Sequence, residues 1–438
     1  MKINTIFNTN CSTQFTTKKL LLFCSFLFLL NTQAQQVSTL AGSISGFNDG
    51  TAAAAQFDLA RGLVLDAVGN IYVADTFNNK IRKISTTGAV TTLAGSTQGF
   101  NDATGVEAQF YYPMDIAVDP MGNLYVADSG NNKIRKITTD GVVTTLAGST
   151  FGYEDANTGI AAKFLGPSAI AIDAMGNLYV ADTFNNKIRK VSTSGVVNTV
   201  AGSAQGFADA NTGAAAQFNN PLGIEVDATG NIYVGDTNNH KIRKISPTGT
   251  VTTLAGGSTS GFADATGTAA LFFNPNNLVI DGLGNLYIAD RNNHKIRKVT
   301  PDGVVSTFAG SSPGYSDADA LTSQFYFPRG VASDASGNVY VSDTFNFKIR
   351  KIGAVLETNT FDKNGIILYP NPAENFINIY SEEKLFIEIN SITGQLVHSI
   401  TADLGTNQIN IAKLTTGIYL LKAINEKGLT KTTKIVKE

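Results

Sequence analysis

Several residue types that carry chemistry or hold small secreted folds together are scarce in this 438-residue chain. It has two cysteines, three histidines, no tryptophan and eleven prolines. Both cysteines, Cys11 and Cys24, lie near the N-terminus, which excludes a disulfide framework for the rest of the chain. Three histidines leave little for a zinc site built from the protein alone. Charged residues make up 16% and the formal net charge is −2, so a nucleic-acid-binding protein is disfavoured.

Long hydrophobic runs are also absent, apart from one near the N-terminus. Lys18 and Lys19 precede an apolar run from Leu20 to Leu30, which is followed by small and polar residues. This order is typical of a secretory signal peptide, and we predict one over residues 1–34 with cleavage after Ala34. A buried N-terminal helix is the alternative. Because the run is too short for a stable membrane anchor, we predict no transmembrane segment in the mature chain.

What the chain has instead is one unit repeated six times. The motif Asp-x-x-Gly-Asn, followed by an apolar residue and Tyr, recurs at intervals of 53 or 54 residues and begins at Asp66, Asp119, Asp173, Asp227, Asp281 and Asp334. Each unit contains four short β-rich runs separated by turn residues, which predicts a four-stranded antiparallel meander. One such sheet cannot bury both of its faces, but six packed around an axis can. The pattern therefore predicts an all-β fold, a six-bladed β-propeller over residues 35–352.

The order of the runs indicates how the ring closes. The fourth run, Val-x-Thr-x-Ala-Gly, first occurs at residues 37–42, before any other run of the repeats. The last three runs, over residues 330–352, have no fourth run after them. We therefore expect residues 37–42 to form the outer strand of the last blade, which leaves no unpaired sheet edge at the seam. An open solenoid would need distinct capping repeats, and none is visible.

The repeated motif resembles the NHL repeat. Residues 173–188 illustrate it with Asp-x-x-Gly-Asn-Leu-Tyr-Val-Ala-Asp-Thr-x-Asn-Asn-Lys-Ile, and the extra Gly-Phe-x-Asp-Ala and Ala-x-Phe-x-x-Pro elements resemble the longer, teneurin-like blades. The resemblance implies a six-bladed propeller that binds other molecules. A minority of such relatives are enzymes, including a zinc-dependent amidating lyase.

The C-terminal part is a second domain. Residues 353–365 read as a linker, and residues 366–438 contain short alternating strands with glycine turns, which predicts a small β-sandwich. The motifs Tyr-Pro-Asn-Pro, Thr-Gly-Gln, Leu-Thr-Thr-Gly-Ile-Tyr and a terminal Lys-Ile-Val-Lys resemble the C-terminal (Por) sorting domain of the type IX secretion system. That resemblance implies a Bacteroidetes-like bacterium, passage through the periplasm, and a secreted or outer-membrane-surface location. A generic accessory sandwich is the alternative.

Four recurrent features have plain structural interpretations beside functional ones. The Asp-x-x-Gly-Asn segments lack the ligand density of a calcium loop, so hairpin turns are favoured. His240 and His294 occupy one slot in adjacent repeats, where a polar turn is favoured over a shared metal. Lys-Ile-Arg-Lys, on each third strand, is interpreted as a solvated strand face rather than a belt for an anionic polysaccharide. The paired aromatics, such as Phe47 and Phe57, are assigned to the core between blades.

Ligand-binding candidates are the positions at which the blades differ. The residues just before the inner strands are Arg61, Met114, Ser168, Leu222, Asn276 and Arg329. We predict a site at the channel mouth, centred on Arg61, Arg329 and Asp115, which ring closure places on consecutive blades. Glu225 replaces a small apolar residue within an inner strand and is added to this set. Two arginines with one carboxylate leave a spare cation for a carboxylate or sulfate on a sugar or peptide. A salt-bridge clasp at the seam is the alternative.

Two function classes remain open. The favoured class is a secreted or cell-surface binding or scaffolding module for an extracellular glycan, peptide or protein, which reaches its location through the type IX machinery acting on residues 366–438. The other is an extracellular metal-assisted hydrolase or lyase with its site at the channel mouth. We assign no catalytic residue, metal ligand or cofactor, and expect no nucleic-acid partner.

Overall fold

Antiparallel sheets account for nearly all regular structure in the computed structural model, which describes residues 35–354, 367–426 and 430–438. The predicted signal peptide and most of the predicted linker lie outside these residues. No described helix is long and apolar enough to cross a bilayer. The prediction of an all-β propeller followed by a C-terminal β domain is confirmed.

Residues 35–354 form six sheets, which we call blades 1 to 6. Strand β1 (Gln35–Ala41) comes first in the chain but belongs to blade 6. Blade 1 contains β2 (Gly50–Thr51), β3 (Leu63–Leu65), β4 (Ile71–Asp75), β5 (Lys80–Ile84) and β6 (Ala89–Ala94). Blade 2 contains β7 (Pro113–Val118), β8 (Leu124–Asp128), β9 (Lys133–Ile137) and β10 (Val143–Ala147). Blade 3 contains β11 (Pro167–Ile172), β12 (Leu178–Asp182), β13 (Lys187–Val191) and β14 (Val197–Ala201).

Blades 4 to 6 follow the same plan. Blade 4 contains β15 (Pro221–Val226), β16 (Ile232–Asp236), β17 (Lys241–Ile245) and β18 (Val251–Ala255). Blade 5 contains β19 (Pro275–Ile280), β20 (Leu286–Asp290), β21 (Lys295–Val299) and β22 (Val305–Ala309). Blade 6 contains β23 (Ala318–Asp319), β24 (Val331–Ser333), β25 (Val339–Asp343) and β26 (Lys348–Ala354), with β1 as its outer long strand. One 3-10 turn follows the second long strand of each blade, at Thr76–Asn78, Ser129–Asn131, Thr183–Asn185, Thr237–Asn239, Arg291–Asn293 and Thr344–Asn346. Five more lie in the long loops, at Ala52–Ala54, Gly105–Glu107, Gly159–Ala161, Gly213–Ala215 and Gly267–Ala269.

The inner strands meet in a closed cycle. Strands β3, β7, β11, β15, β19 and β24 each contact the next, and β24 contacts β3. At the seam, β1 pairs antiparallel with β26 in a register that runs from Gln35 opposite Ala354 to Ala41 opposite Ile349. Strand β26 continues two residues beyond Ile352, so Gly353 and Ala354 belong to the sheet.

Hydrophobic side chains are buried between successive blades rather than within any one of them. Each of six clusters combines residues of two neighbouring blades, and the seam cluster joins Ala41 and Ile349 of blade 6 with Phe57 and Val73 of blade 1. The predicted turns are present as well. In blade 1, Asp66 accepts hydrogen bonds from the backbone N–H groups of Val68 and Asn70, and Gly69 has a φ of +97°. The Asp-x-x-Gly-Asn segments are therefore hairpin turns.

The interpretation of Lys-Ile-Arg-Lys as a solvated strand face is wrong for its arginine. Arg82 is fully buried, and its guanidinium contacts Asp75 at 2.6 Å and Asp49 at 2.7 Å. Asp75 ends the second long strand and Asp49 lies in the long loop, so this arginine ties that loop to the sheet. The same arrangement recurs at Arg135, Arg189, Arg243, Arg297 and Arg350.

The assignment of both paired aromatics to the core is correct for only one member. Phe57 is fully buried between blades, but Phe47 is 48% exposed and lies over Lys80 and Arg82, whose cationic groups are 4.6 and 4.9 Å from the ring centre. Cation–π contact rather than burial therefore holds the outer aromatic of each blade.

The C-terminal residues form two sheets around one core. The strands are β27 (Ile367–Tyr369), β28 (Phe376–Ser381), β29 (Leu385–Ser391), β30 (Leu396–Ala402), β31 (Gly405–Asn410), β32 (Gly417–Asn425) and β33 (Thr430–Lys437). They pair in the orders β27-β28-β31 and β30-β29-β32-β33. Their shared core contains Ile377, Ile387 and Tyr419, among others, and draws on residues of this domain alone.

Candidate ligand-binding site

One face of the propeller is built from the segments that vary between blades. In blade 1, the long loop, the 3-10 turn and the residues that lead into the inner strand meet there, because Asn78 donates to the Gly46 carbonyl at 2.8 Å and the Phe77 N–H donates to the Asp58 carbonyl at 3.1 Å. We call this face the mouth. It consists of the 3-10 turns that follow the second long strands and the residues just before the inner strands.

A repeated hydrogen bond joins neighbouring blades at the mouth. Thr76, the first residue of its 3-10 turn, donates through its hydroxyl to the Pro113 carbonyl of the next blade at 2.8 Å. Corresponding bonds are made by Thr183, Thr237 and Thr344. Blade 5 has Arg291 in this position, which cannot supply the same short hydroxyl donor.

A second inter-blade bond explains His240 and His294. The residue after the 3-10 turn is an asparagine in blades 1 to 3, and the side-chain Oδ1 of Asn79 accepts the backbone N–H of Tyr112. Nδ1 of His240 accepts the N–H of Asn274, and Nδ1 of His294 accepts the N–H of Phe327, so both rings replace asparagine as acceptors. Burial, aided by a neighbouring lysine, lowers the pKa of both imidazoles.

No additional metal-ligating side chains of the described residues group with His240 and His294. Within the described residues, no group of three or more His, Cys, Asp or Glu side chains is arranged to hold a metal ion.

The six variable positions before the inner strands converge at the axis. They line a narrow space of about 10 Å³ together with Gly62, Asn277 and Gly330. That is barely room for one water molecule, so these side chains nearly close the channel at the mouth. The structure thus brings Arg61 and Arg329 together, since both line this space.

A third arginine belongs to the same cluster. Arg61, Arg291 and Arg329 are each partly buried, and repulsion among them lowers the pKa of Arg61 and Arg329 in addition to the larger effect of burial. Arg61 donates to the Met114 sulfur at 2.7 Å. The Nε atoms of all three guanidinium groups are buried and have no hydrogen-bond partner among the described residues.

Asp115 does not join the arginines as we expected. Its carboxylate accepts the Ile170 N–H at 3.0 Å and the Asn277 side-chain amide at 3.2 Å, so it links three blades inside the channel. No ion pair within the described part of the chain includes Arg61 or Arg329, so the salt-bridge clasp proposed as the alternative is absent there.

Glu225 lies near Asp115 in the channel rather than at the mouth. Both carboxyls line a cavity of about 150 Å³ together with apolar residues of all six inner strands. Burial raises the pKa of each to about 7, and the charge of Asp115 adds to the effect on Glu225. Glu225 accepts the N–H of Val226 at 2.9 Å. The channel therefore contains a carboxyl pair, separate from the arginines.

A larger cavity opens beside the arginine cluster. It has a volume of about 570 Å³ and runs across blades 1 to 4 from Arg61. Aromatic rings form much of its wall, with Phe77 and Tyr112 at 5.0 Å and Tyr111 and Tyr112 at 4.7 Å between ring centres. Phe184, which is 61% exposed, forms another part of the wall. The mouth thus combines an aromatic cavity with a cationic cluster that shares Arg61.

Family comparisons agree with this architecture. Residues 325–352 match the NHL repeat, residues 102–256 match the SMP-30/gluconolactonase/LRE-like region, and residues 367–438 match the secretion system C-terminal sorting domain. The chain thus combines a β-propeller that contains an NHL repeat with a C-terminal secretion sorting domain. Its sorting domain indicates export by the type IX secretion system to the cell surface or the medium.

Curated relatives that match part of this chain are much longer proteins. NHL repeat-containing protein 2 of Homo sapiens is 31% identical over 301 residues, which are 59% of this chain and 41% of that protein. SUPPRESSOR OF QUENCHING 1 of Arabidopsis thaliana is 32% identical over 276 residues, 58% of this chain and 26% of that protein. Human teneurin-4 is 33% identical over 232 residues, which are 45% of this chain and 8% of that protein. The chain therefore spans less than half the length of these relatives.

Several solved structures similar to this propeller come from Bacteroides. A protein of unknown function from Bacteroides thetaiotaomicron is 24% identical with a TM-score of 0.58, over 73% of this chain and 76% of that one. A protein of the same species described as an auxiliary nutrient binding protein is 19% identical with a TM-score of 0.57, over the same shares. At these identities the likeness shows the fold alone.

Two sets of residues at the mouth of this NHL propeller escaped the sequence analysis. Arg291 stands where the other blades have Thr or Ser, and this departure from the repeat was a visible signal. Phe77 and Phe184 belong to a slot of the 3-10 turn that holds Phe, Gly or Asn. Comparison of the blades at these two positions, and not only before the inner strands, finds both sets.

Proposed function

We propose that the protein is a secreted or cell-surface binding module that holds part of an extracellular glycan, peptide or protein at the mouth of its propeller. The observation that carries the proposal is the cavity of about 570 Å³ beside Arg61, with aromatic rings in its wall. Ligand sites are typically concave, mostly apolar and supplied with a few polar groups that fix orientation, and this cavity has those properties.

The chemistry of the wall favours a glycan or a peptide segment that has both a flat apolar face and a polar group. Phe77 and Phe184 offer exposed rings, which pack against the C–H face of a sugar ring or against an aliphatic side chain. The arginines beside them supply charged donors at one end. An elongated ligand that contacts both parts has its orientation fixed.

Deviation from the repeat supports the same proposal. The buried Arg82-type contacts recur in all six blades, whereas the aromatic and arginine positions at the mouth differ from blade to blade. A purely structural role predicts recurrence, because each blade solves the same packing problem. Two solved propellers of similar fold are named auxiliary nutrient binding proteins, and a binding role is compatible with that name.

The proposal is tested with the purified protein on arrays of bacterial and plant glycans and of peptides. We expect Phe184→Ala to weaken binding of an array ligand by roughly tenfold, the loss expected for one stacked ring, with an unchanged melting temperature. Phe151→Ala is the matched control, because Phe151 is also an exposed phenylalanine and does not line the cavity. Equal loss in the two variants, or an array without any saturable ligand, contradicts the proposal.

A further inference from the structure

We propose that Arg61, Arg291 and Arg329 form a site for a tetrahedral oxyanion, the sulfate or phosphate ester of an extracellular ligand. The inference deepens the proposed function, since it names the group that the cationic end of the mouth recognises. It rests on the placement of the three side chains, on their lack of carboxylate partners and on a break in the repeat.

The three arginines come from consecutive blades. Arg291 begins the 3-10 turn of blade 5, while Arg329 and Arg61 precede the inner strands of blades 6 and 1. Arg61 and Arg329 line the same narrow space at the axis. Ring closure therefore brings three guanidinium groups to one side of the mouth.

The cluster has no counter-charge in the described part of the protein. No ion pair there includes any of the three arginines, and their buried Nε atoms have no hydrogen-bond partner. The nearby carboxyls of Asp115 and Glu225 lie in the channel cavity, which the arginines do not line. Buried donors without partners are costly, and a bound anion removes that cost by accepting from them.

Electrostatic repulsion among the three guanidinium groups also favours a bound anion. Burial lowers the pKa of Arg329 most, and the charges of Arg61 and Arg291 lower it further. Three cations held together without an anion destabilise the fold, whereas an oxyanion that accepts from them makes each contact favourable. The space between Arg61 and Arg329 at the axis is only about 10 Å³, so the anion has to bind at its outer edge.

Blade 5 also lacks the inter-blade hydrogen bond that a threonine makes at the start of the 3-10 turn in most other blades. Threonine in the Arg291 position donates to the next blade in four of the other blades, and blade 5 lacks that bond. No hydrogen bond or ion pair of the described residues replaces it, although the Arg291 guanidinium lies 5.8 Å from the Phe327 ring centre. The substitution thus exchanges an inter-blade hydrogen bond for a distant ring contact and adds a positive charge at the mouth, which is what a recognition role requires.

The number of arginines selects a tetrahedral ester over a carboxylate. A sulfate or phosphate ester has three terminal oxygens, so each guanidinium can take at least one. A carboxylate has only two oxygens, which lie in one plane, so three guanidinium groups have to share two acceptors. Arg329 is also supported from beneath, since its guanidinium lies 5.8 Å from the Phe345 ring centre.

Titration calorimetry of the full protein with sodium sulfate, inorganic phosphate and sodium acetate tests the inference, with sodium chloride used to hold the ionic strength constant. We expect saturable sulfate or phosphate binding at about 1 mM or tighter, and acetate at least about tenfold weaker. Absence of saturable binding of both tetrahedral anions overturns the inference, as does acetate binding of equal strength.

The decisive variant is Arg291→Thr, which restores the repeat residue. We expect anion affinity to fall by about tenfold or more while the melting temperature stays the same or rises, because the threonine can donate to blade 6. Arg329→Gln provides a second loss of binding with little change of shape. Lys136→Thr removes the same charge from the third strand of blade 2 and is the matched control. Equal affinity in Arg291→Thr and Lys136→Thr overturns the inference.

A further set of titrations distinguishes the source of the oxyanion. A monosaccharide 6-sulfate, the corresponding 6-phosphate and the unsubstituted sugar are compared, and we expect one ester to bind more tightly than both the free anion and the sugar. If the anion binds through Arg291 but no array ligand depends on Phe184, the proposed function fails and this inference stands. If an array ligand depends on Phe184 and Arg291→Thr leaves its affinity unchanged, the inference fails and the proposed function stands.

Discussion

The same residue type has opposite roles in this protein, and its neighbours decide which. Arg82 lies between Asp75 and Asp49, so its charge is neutralised and it holds a loop on the sheet. Arg61 and Arg329 have no such carboxylates and lie beside one another on neighbouring blades. A buried arginine with carboxylate partners is part of the scaffold, and a cluster of arginines without partners is a candidate site.

Also at the residue scale, the channel carboxyls make stability depend on pH. Burial raises the pKa of Asp115 and Glu225 to about 7, from roughly 4 in an unfolded chain. Between about pH 4 and 7 the folded protein retains protons that the unfolded chain releases, so this contribution to the free energy of unfolding is full at low pH and is lost as the pH rises through 7. We expect Glu225→Gln to be more stable than wild type at pH 8, by about 1 kcal/mol or more, and to differ little from it at pH 4.5.

Chemical denaturation at the two pH values measures this difference. Glu107→Gln, at an exposed loop carboxyl, is the control and should match wild type at both. Burial lowers the pKa of His240 and His294, which changes stability with pH in the opposite direction to the raised carboxyls. The comparison of the variant with wild type is therefore informative, and the pH dependence of the wild type alone is not. A Glu225→Gln variant that gains no stability at pH 8 contradicts the buried-carboxyl account.

At the scale of elements, the propeller depends on one strand far away in sequence. Strand β1 pairs with β26 along its length, and its Val37 and Ala41 enter the clusters on either side of blade 6. The other blades are formed by neighbouring strands in the chain. The seam is thus the place where the ring can open without the loss of a whole blade.

We expect deletion of residues 35–41 to lower the melting temperature of the propeller by more than about 10 °C. The deletion exposes the edge of β26 and removes core side chains from two clusters. Deletion of residues 367–438 should leave the propeller transition within about 2 °C, because that domain has its own core. Differential scanning calorimetry of both truncations measures the two effects, and equal melting temperatures for the N-truncated and intact proteins contradict closure by β1.

At the scale of the whole molecule, the sorting domain and the candidate binding site lie in different parts of the chain. The sorting domain over residues 367–438 indicates type IX export, and its core contains no residue of the propeller. The mouth residues all lie between Arg61 and Asn346. Because the sorting domain contributes no residue to the propeller core, its removal leaves that core intact.

We therefore expect the extracellular form to lack residues 367–438. Intact-mass measurement of the protein recovered from the medium or the surface of its native host identifies the C-terminus directly. A variant without the sorting domain serves as the control and should remain inside the outer membrane. A mature extracellular species that still ends at Glu438 contradicts this expectation.

The sequence by itself determined the all-β repeat architecture, the strand order and the export address. Those features depend on the spacing of the motifs and on turn chemistry. The Val-x-Thr-x-Ala-Gly run at residues 37–42, which precedes all the other runs, correctly predicted that β1 pairs with β26. Tertiary structure alone decided which side chains meet. It buried Arg82, turned Asp115 into the channel and placed Arg291 with Arg61. Local pairing depends on residues a few positions apart, whereas a site at the axis depends on ring closure and on the direction of each side chain, which the repeat pattern does not encode.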